Sequence, residues 1–189
     1  MRNKTWRDDI RAYVPFNEQE RSDKARFLEM LDLENILTRE NEEAHVSASA
    51  WVMNETLDQV LMAYHNIYQS WSWSGGHADG EGDLLSVAMK EVKEESGLVS
   101  LKPLSDSPIS IEILGVQPHY KKQKYVSAHL HLNYTFLLHN TKEEKLKICP
   151  EENSKVGWLS PDEAVRSSTE AWMKPIYKKL NQKMRKYLG

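Results

Sequence analysis

The sequence has little cysteine, little net charge and no long apolar run. Its 189 residues include one cysteine, Cys149, so no disulfide can form within the chain, and a reducing compartment is the expected location. The formal net charge of −3 argues against a general surface for nucleic acid. No apolar stretch reaches the length of a membrane span, and the opening MRNKTWRDDI is too polar for a signal peptide. These absences predict a cytoplasmic protein with neither nucleic-acid nor membrane partners.

The chain length suits one domain with an added terminal element. Residues 17–37 predict one helix or two short ones, and Asn17 with Glu20 has capping-box spacing. The polar residues 38–43 predict a connector. We therefore expect an N-terminal helical extension over residues 1–43, which is also a candidate homodimer element, and a main domain over residues 44–189.

Strand patterns occupy the middle of the main domain. Apolar runs and alternating apolar and polar positions predict strands over residues 45–53, 59–64, 110–117, 125–138 and 156–159. Ser160, Pro161 and Glu163 predict a helix start, and a last helix is expected over much of residues 170–187 with a possible break at Pro175. This order of elements predicts an α/β protein with helices packed on a mixed sheet.

A glycine-rich loop precedes a predicted helix that carries three clustered carboxylates. Asp83 is placed to cap this helix and Gly97 to end it. Within it, Glu91, Glu94 and Glu95 share an arc of about 100°, while Leu85, Met89 and Val92 are expected to anchor the helix to the sheet.

Carboxylates this close repel one another, and a hard divalent cation such as Mg²⁺ would relieve the repulsion. The preceding glycines allow close backbone approach, so they would offer carbonyls to a metal or amides to a phosphate. The combination suits hydrolysis of a phosphate anhydride. For the segment EVKEE taken alone, the alternative is a solvated face on which Lys90 and Lys93 balance the glutamates.

The glycine loop and the helix together resemble the signature of the Nudix hydrolase family. That signature reads glycine, five residues, glutamate, seven residues, then Arg-Glu-apolar-any-Glu-Glu-any-Gly-apolar. Gly76 fits its first position, and KEVKEESGL over residues 90–98 fits its last nine with one substitution. Gly82 replaces the first glutamate and Lys90 the arginine, two side chains that in the family support the geometry of the loop and helix. A substitute partner for Lys90 is expected from one of three acidic residues, Asp79, Glu81 or Asp83.

The resemblance implies a fold and an activity. The fold is an α/β/α sandwich around a mixed central sheet. The activity is Mg²⁺- or Mn²⁺-dependent hydrolysis of a diphosphate bond in a nucleoside diphosphate linked to another moiety. Glu94 and Glu95 match metal ligands of the family, and Glu91 matches a metal ligand or general base. A carbonyl of Gly75 or Gly76 matches a main-chain ligand, and a carboxylate from a distant loop is expected from Glu151 or Glu152, of which Glu152 is preferred.

Two other functions are compatible with such a fold. One is a non-catalytic sensor or regulator that binds a nucleotide, since a fold does not settle function. The retention of all three glutamates favours catalysis over this alternative. The other is an isomerase acting on an isoprenoid diphosphate, which would require a well-placed cysteine, and Cys149 lies in an unpromising stretch. The sequence does not select one diphosphate substrate.

Three histidines and a tyrosine are further candidates for substrate binding. His129 and His131 lie on one face of a predicted strand, and with His77 they would form a second metal site or contact phosphate. Because no third ligand at suitable spacing is evident, a polar strand face toward the substrate is favoured over a metal site. Tyr125 is a candidate for stacking on a base or another ring.

Overall fold

The computed structural model describes residues 5–121 and 123–189. The helices in these ranges are α1 Trp6–Ala12, α2 Glu18–Met30, α3 Leu84–Ser96, α4 Pro161–Ser167 and α5 Met173–Leu188. The strands are β1 Ala44–Met53, β2 Val60–His65, β3 Ser70–Ser72, β4 Ser74–His77, β5 Leu101–Pro103, β6 Ser110–Val116, β7 His119–Lys121, β8 Lys124–Val126, β9 His129–Asn140 and β10 Asn153–Leu159. None of the helices in the described part of the chain is both long enough and apolar enough to cross a membrane.

Eight of the described strands form one mixed sheet. Its central pair is β1 and β9, which run parallel with Ala44 opposite Leu130 and Met53 opposite His139. The other pairings in this sheet are antiparallel, in the order β10-β2-β1-β9-β5 with β3, β4 and β6 joined to β2, β1 and β9 respectively. The mixed central sheet predicted from the sequence is confirmed.

Helices cover both faces of the sheet. Alternate side chains of β1 and β9 pack on one face with α1, α2 and α3, through residues such as Trp6, Phe27 and Val92. The intervening side chains pack on the other face with α4 and α5, through residues such as Val165 and Tyr177. This arrangement confirms the α/β/α sandwich with C-terminal helices. The division at residue 43 stays a prediction, and α1 and α2 share one hydrophobic core with α3.

Several helix ends follow local signals as predicted. Asp83 caps α3 by accepting a hydrogen bond from the backbone N–H of Ser86, and Gly97 ends it with a left-handed φ of 77°. Ser160 and Glu163 form a reciprocal capping box at the start of α4. The Nudix-like segment is therefore a loop and a helix with the predicted limits.

Other elements differ from the prediction. The single strand expected over residues 125–138 is two strands, because β8 pairs with β7 in a separate hairpin while β9 joins the main sheet. Helix α1, which was not predicted from the sequence, begins at a capping box formed by Thr5 and Asp8. Helix α2 ends at Met30 and is followed by turns.

The predicted capping box of Asn17 and Glu20 is only half formed. Asn17 accepts a hydrogen bond from the backbone N–H of Glu20, but the carboxylate of Glu20 accepts one from the N–H of Phe16 and is wholly buried. It lies 3.1 Å from Nζ of Lys179 in α5, which is also 2.9 Å from a carboxylate oxygen of Glu112 in β6. A buried ionic group therefore links α2 to α5 across the edge of the sheet.

The polar side chains of β9 belong partly to this buried group. Asn133 and Thr135 both donate hydrogen bonds to Glu112, at 3.0 and 2.9 Å, and both side chains are buried. The expectation that the whole polar face of this strand would be turned toward substrate is wrong for these two residues, since both are buried and bonded to Glu112. His129 and His131 lie beyond the buried part.

Candidate active site

Two glycines of β4 bring its backbone against the carboxylates of α3. The N–H of Gly75 donates a hydrogen bond to Glu95 at 3.3 Å. A Cβ atom at Gly75 would lie 2.8 Å from the carbonyl oxygen of Ala48 in β1, and one at Gly76 would overlap the carboxylate of Glu91. Larger residues would not fit at these two positions without displacing strand β1 or Glu91.

The three glutamates of α3 differ in exposure because the helix buries one stripe against the sheet. The buried residues of the helix are Leu84, Val87, Ala88, Val92, Glu95 and Ser96. Leu85 and Met89, predicted with Val92 to anchor the helix, are partly buried and pack against the same core. Glu95 is 9% exposed, whereas the side chains of Glu91 and Glu94 are 15% and 53% exposed. Exposure to solvent thus increases from Glu95 through Glu91 to Glu94.

Burial and mutual repulsion disfavour ionisation of the inner carboxylates. Burial raises the pKa of Glu95 to about 8, and the charges of Glu152 and Glu91 contribute to the rise. Burial also raises the pKa of Glu91, with Glu94 and Glu152 adding to the shift and Lys90 opposing it. Glu152, from the turn before β10, therefore lies close enough to interact with both. A divalent cation among these groups would offset the repulsion, so the donor set fits Mg²⁺ or Mn²⁺.

Lys90 does not pair with any of the three partners considered for it. Its Nζ lies 3.5 Å from Glu91 and 3.2 Å from Glu94 in the described part of the chain. Glu81 accepts a hydrogen bond from the N–H of Asp83, and Asp83 caps α3. Glu81 and Asp83 therefore bond within their own segment, and neither they nor Asp79 supplies the substitute partner expected for Lys90.

The glycine loop is supported from the N-terminal connector instead. Arg39 donates two hydrogen bonds to Asp79, one of them from Nε to Oδ1 at 2.8 Å. The hydrogen bonds from Arg39 lower the pKa of Asp79. The N–H of Gly80 donates to the carbonyl of Leu37 at 2.9 Å. Contacts from residues 37–39 therefore hold the loop in place of the missing glutamate and arginine.

A group of histidines lies beside the glycine loop. His45 in β1, His77 in β4 and His131 in β9 offer ring nitrogens that all lie within 4.8 Å of one another. His129 adds a fourth ring, with its Nε2 3.2 Å from Nε2 of His131. Burial, together with the neighbouring histidines, lowers the pKa of His131 to about 2, and burial lowers that of His45. Both shifts favour the neutral imidazole.

Three of these histidines were candidates from the sequence, whereas His45 was not. Its place opposite His131 follows from the parallel register of β1 and β9, which spacing in the sequence does not reveal. Among residues 5–121 and 123–189, His45, His77 and His131 are the one group of at least three His, Cys, Asp or Glu whose ligand atoms converge this closely. The glutamates of α3 do not form such a group in the described part of the chain.

Tyr125 is separated from the other candidates by its place in the fold. It lies in the β7–β8 hairpin, outside the main sheet, and is 55% exposed. Its ring packs edge-on against Tyr120 with the ring centroids 5.5 Å apart. No described contact brings Tyr125 to the carboxylates of α3.

A family model identifies the domain that contains the site. A model of the NUDIX domain matches residues 43–180 of the chain. A search of curated proteins found no match. The family match spans β1 to α5, so it includes the glycine loop, the three glutamates and all four clustered histidines.

Solved structures resemble the fold at low sequence identity. A C. elegans Ap4A hydrolase superposes with a TM-score of 0.55 at 18% identity, over 72% of this chain and 95% of that one. A NUDIX-family hydrolase from Clostridium perfringens gives 0.55 at 16% identity, over 75% and 96% of the two chains. The E. coli dihydroneopterin triphosphate pyrophosphohydrolase gives 0.52 at 17%, over 71% and 92%. At such identities the likeness establishes the fold.

Proposed function

The chain belongs to the NUDIX family of pyrophosphohydrolases, and from that premise we propose that it hydrolyses a diphosphate bond in a nucleoside diphosphate linked to another moiety. The proposed cofactor is Mg²⁺ or Mn²⁺. The observation that carries the proposal is the packing of two carboxylates, Glu91 and Glu95, against the glycine pair Gly75 and Gly76, where burial raises the pKa of both. A bound dication stabilises the ionised form of a carboxylate, and the stabilisation matters most where burial disfavours that form.

The proposed ligands come from α3, β4 and the turn before β10. Glu94 and Glu95 would bind the ion, with a carbonyl of Gly75 or Gly76 and with Glu152, which interacts with both inner glutamates. A bound dication would offset negative charge on the diphosphate oxygens and lower the pKa of a bound water. Glu91 would serve as a further ligand or as the general base. Its raised pKa brings the carboxylate closer to the operating pH, where a base is most effective.

The names of two similar proteins bear on the substrate class. The similar C. elegans and E. coli proteins are named for Ap4A and for dihydroneopterin triphosphate, which are both phosphate esters that carry a heterocyclic ring. We propose a small-molecule diphosphate of that general kind. The single half-buried Cys149 suits a reducing, cytoplasmic location for such an enzyme.

The test is phosphate release across a panel of diphosphate compounds, with Mg²⁺, with Mn²⁺ and with a chelator. A coupled phosphatase would report the products, and Glu94→Gln would be assayed beside the wild type. Because the Glu94 side chain is 53% exposed, this variant should fold normally while it loses metal-dependent turnover. Glu143→Gln, which changes an exposed residue outside the site, is the matched control.

Two results would overturn the proposal. Undiminished turnover in Glu94→Gln would remove this carboxylate from the metal site. Absence of turnover with every compound, together with tight nucleotide binding, would instead favour the non-catalytic sensor.

A further inference from the structure

The histidine group has donors of a different kind from those of the proposed catalytic site. Its members come from three adjacent strands, β1, β4 and β9, in the register that places His45 beside His131 and Ser47 beside His77. Ring nitrogens favour Zn²⁺-type ions over Mg²⁺, which prefers oxygen. The histidines therefore favour a different kind of metal ion from the carboxylates.

Hydrogen bonds from His45 and His129 to backbone carbonyls fix which ring nitrogen carries the proton. Nδ1 of His45 lies 3.1 Å from the carbonyl of Asn41, and Nδ1 of His129 lies 2.8 Å from the carbonyl of Ser127. A carbonyl accepts only, so each Nδ1 carries the proton and each Nε2 presents a lone pair. Donation of the second ring N–H to a backbone carbonyl is the usual support for a metal-binding histidine.

The lone pair of His45 has no hydrogen-bond partner among the described residues. Its Nε2 is fully buried, and the residue as a whole is 4% exposed. A buried acceptor without a partner costs about 1–3 kcal/mol. This atom belongs to the ring that packs against three other imidazoles, with centroids 5.0 Å from His77, 4.8 Å from His129 and 4.9 Å from His131.

The distances suit a shared ion. Two nitrogens bound to one tetrahedral Zn²⁺ at about 2.0–2.1 Å lie roughly 3.3 Å apart, and the ring nitrogens that His45, His77 and His131 offer all lie within 4.8 Å of one another. A bound ion would therefore draw the three rings closer together.

We propose that His45, His77 and His131 form a binding site for a Zn²⁺-type dication, with His129 beside them as the fourth ring. The site joins β1, β4 and β9 at the edge where the glycine loop begins. His77 directly follows Gly76 in β4, so the ion would fix the strand that carries the proposed main-chain ligand. This inference does not depend on the proposed hydrolase activity.

The experiment measures Zn²⁺ binding to the full chain after removal of metals with a chelator. Excess Mg²⁺ is present throughout, so that the carboxylates of α3 are occupied by the harder ion. Co²⁺, whose visible absorption reports coordination by nitrogen and geometry, serves as a second probe. The variants are His45→Ala and His131→Ala, with His119→Ala as the control because His119 lies in the exposed β7–β8 hairpin.

The expected result is one Zn²⁺ per wild-type chain, retained by His119→Ala and by Glu94→Gln. Loss of an outer-shell partner costs roughly 10- to 100-fold in metal affinity, so removal of a ligand in His45→Ala or His131→Ala should cost more than that. Should the buried His45 prove necessary for folding, His77→Ala, at a half-buried position, provides the same test.

Three outcomes would overturn the inference. The first is wild-type protein that binds no Zn²⁺ in the presence of Mg²⁺. The second is unchanged affinity in folded His77→Ala and His131→Ala. The third is Zn²⁺ binding that is lost in Glu94→Gln alone, which would assign the ion to the carboxylates. Failure of the hydrolase assay would leave each of these results unaffected.

Discussion

Arg39 and Asp79 are joined by two hydrogen bonds that tie the N-terminal connector to the glycine loop, with Nε and Oδ1 2.8 Å apart. Asp79 has a left-handed φ of 47°, a conformation that non-glycine residues adopt at some cost. The pair therefore holds a turn that the loop sequence alone would not favour.

Arg39→Ala should reduce activity more than stability. The two side chains are 49% and 50% exposed, so their loss should cost about 0.2–1 kcal/mol in the free energy of unfolding. We expect kcat/KM to fall by about tenfold or more, since a loosened loop would misplace the ligands it carries. Urea unfolding and steady-state kinetics would be compared with Arg26→Ala, which breaks an exposed ion pair to Glu29 on α2. Equal kinetics in the two variants would show that the pair has no part in loop geometry.

The two adjacent glycines of β4 should respond differently to alanine. In Gly76→Ala the new methyl group meets the end of the flexible Glu91 side chain, so the protein should fold but lose most metal-dependent turnover. In Gly75→Ala it meets the backbone of β1, and overpacking of this kind costs about 1–3 kcal/mol.

Gly115→Ala is the control for both, because nothing lies within 4 Å of the position that its new methyl group would occupy. Thermal unfolding and turnover would be measured for all three variants. Full activity in Gly76→Ala would contradict the close packing of Glu91 on the loop.

The raised pKa of Glu95 predicts that the metal-free protein loses stability as pH rises. Its folded value of about 8 exceeds the ordinary value of 4.5, so between these values the unfolded chain binds fewer protons than the folded one. The free energy of unfolding should therefore decrease through this range. Urea unfolding with a chelator, from about pH 5 to about pH 8, should show a smaller decrease in Glu95→Gln than in the wild type. Identical slopes would indicate that Glu95 ionises normally.

Lys179 should be far more important to stability than a neighbouring cation on the same helix. It is 3% exposed and pairs with Glu20 and Glu112, which are fully buried. Removing one member of a buried ion pair costs about 3–5 kcal/mol, so Lys179→Met should be severely destabilised. Arg185→Met, which removes an exposed ion pair to Asp162, should change stability by about 0.5 kcal/mol or less.

The double variant Lys179→Met/Glu112→Gln should regain part of the lost free energy of unfolding, because it removes one of the two buried carboxylates that Lys179→Met leaves without this cation. Urea denaturation of the single and double variants measures this coupling. Strictly additive effects would mean that the two side chains do not interact.

The part of the site that depends on residues close together in the sequence was predictable. Asp83 and Gly97 give the limits of α3 through short-range capping, and helical spacing alone places Glu91, Glu94 and Glu95 together. Their unequal burial was not predictable, since it depends on how the helix is rotated against the sheet. The anchoring stripe includes Glu95 itself.

Features that depend on strand register were not predictable. His45 meets His131 only because β1 and β9 run parallel in one particular alignment, and a shift by one residue would turn either side chain to the opposite face. The same holds for Asn133 and Thr135, which resemble a solvent-facing polar pattern in the sequence. They are buried because Glu112 accepts a hydrogen bond from each of them, and Lys179 of α5 pairs in turn with Glu112.

The buried link between α2 and α5 also bears on how the protein folds during synthesis. Glu20 and Glu112 leave the ribosome well before Lys179 and Lys183, the cations that neutralise them. Until α5 emerges, these two carboxylates lack the ionic partners that they have in the native state. We therefore expect that the face of the sheet covered by α4 and α5 stays unpacked until then. Such contacts between distant parts of a chain slow folding. The last step of maturation should therefore be the docking of α5, and a polypeptide released before residue 179 should be a target for chaperones and proteases.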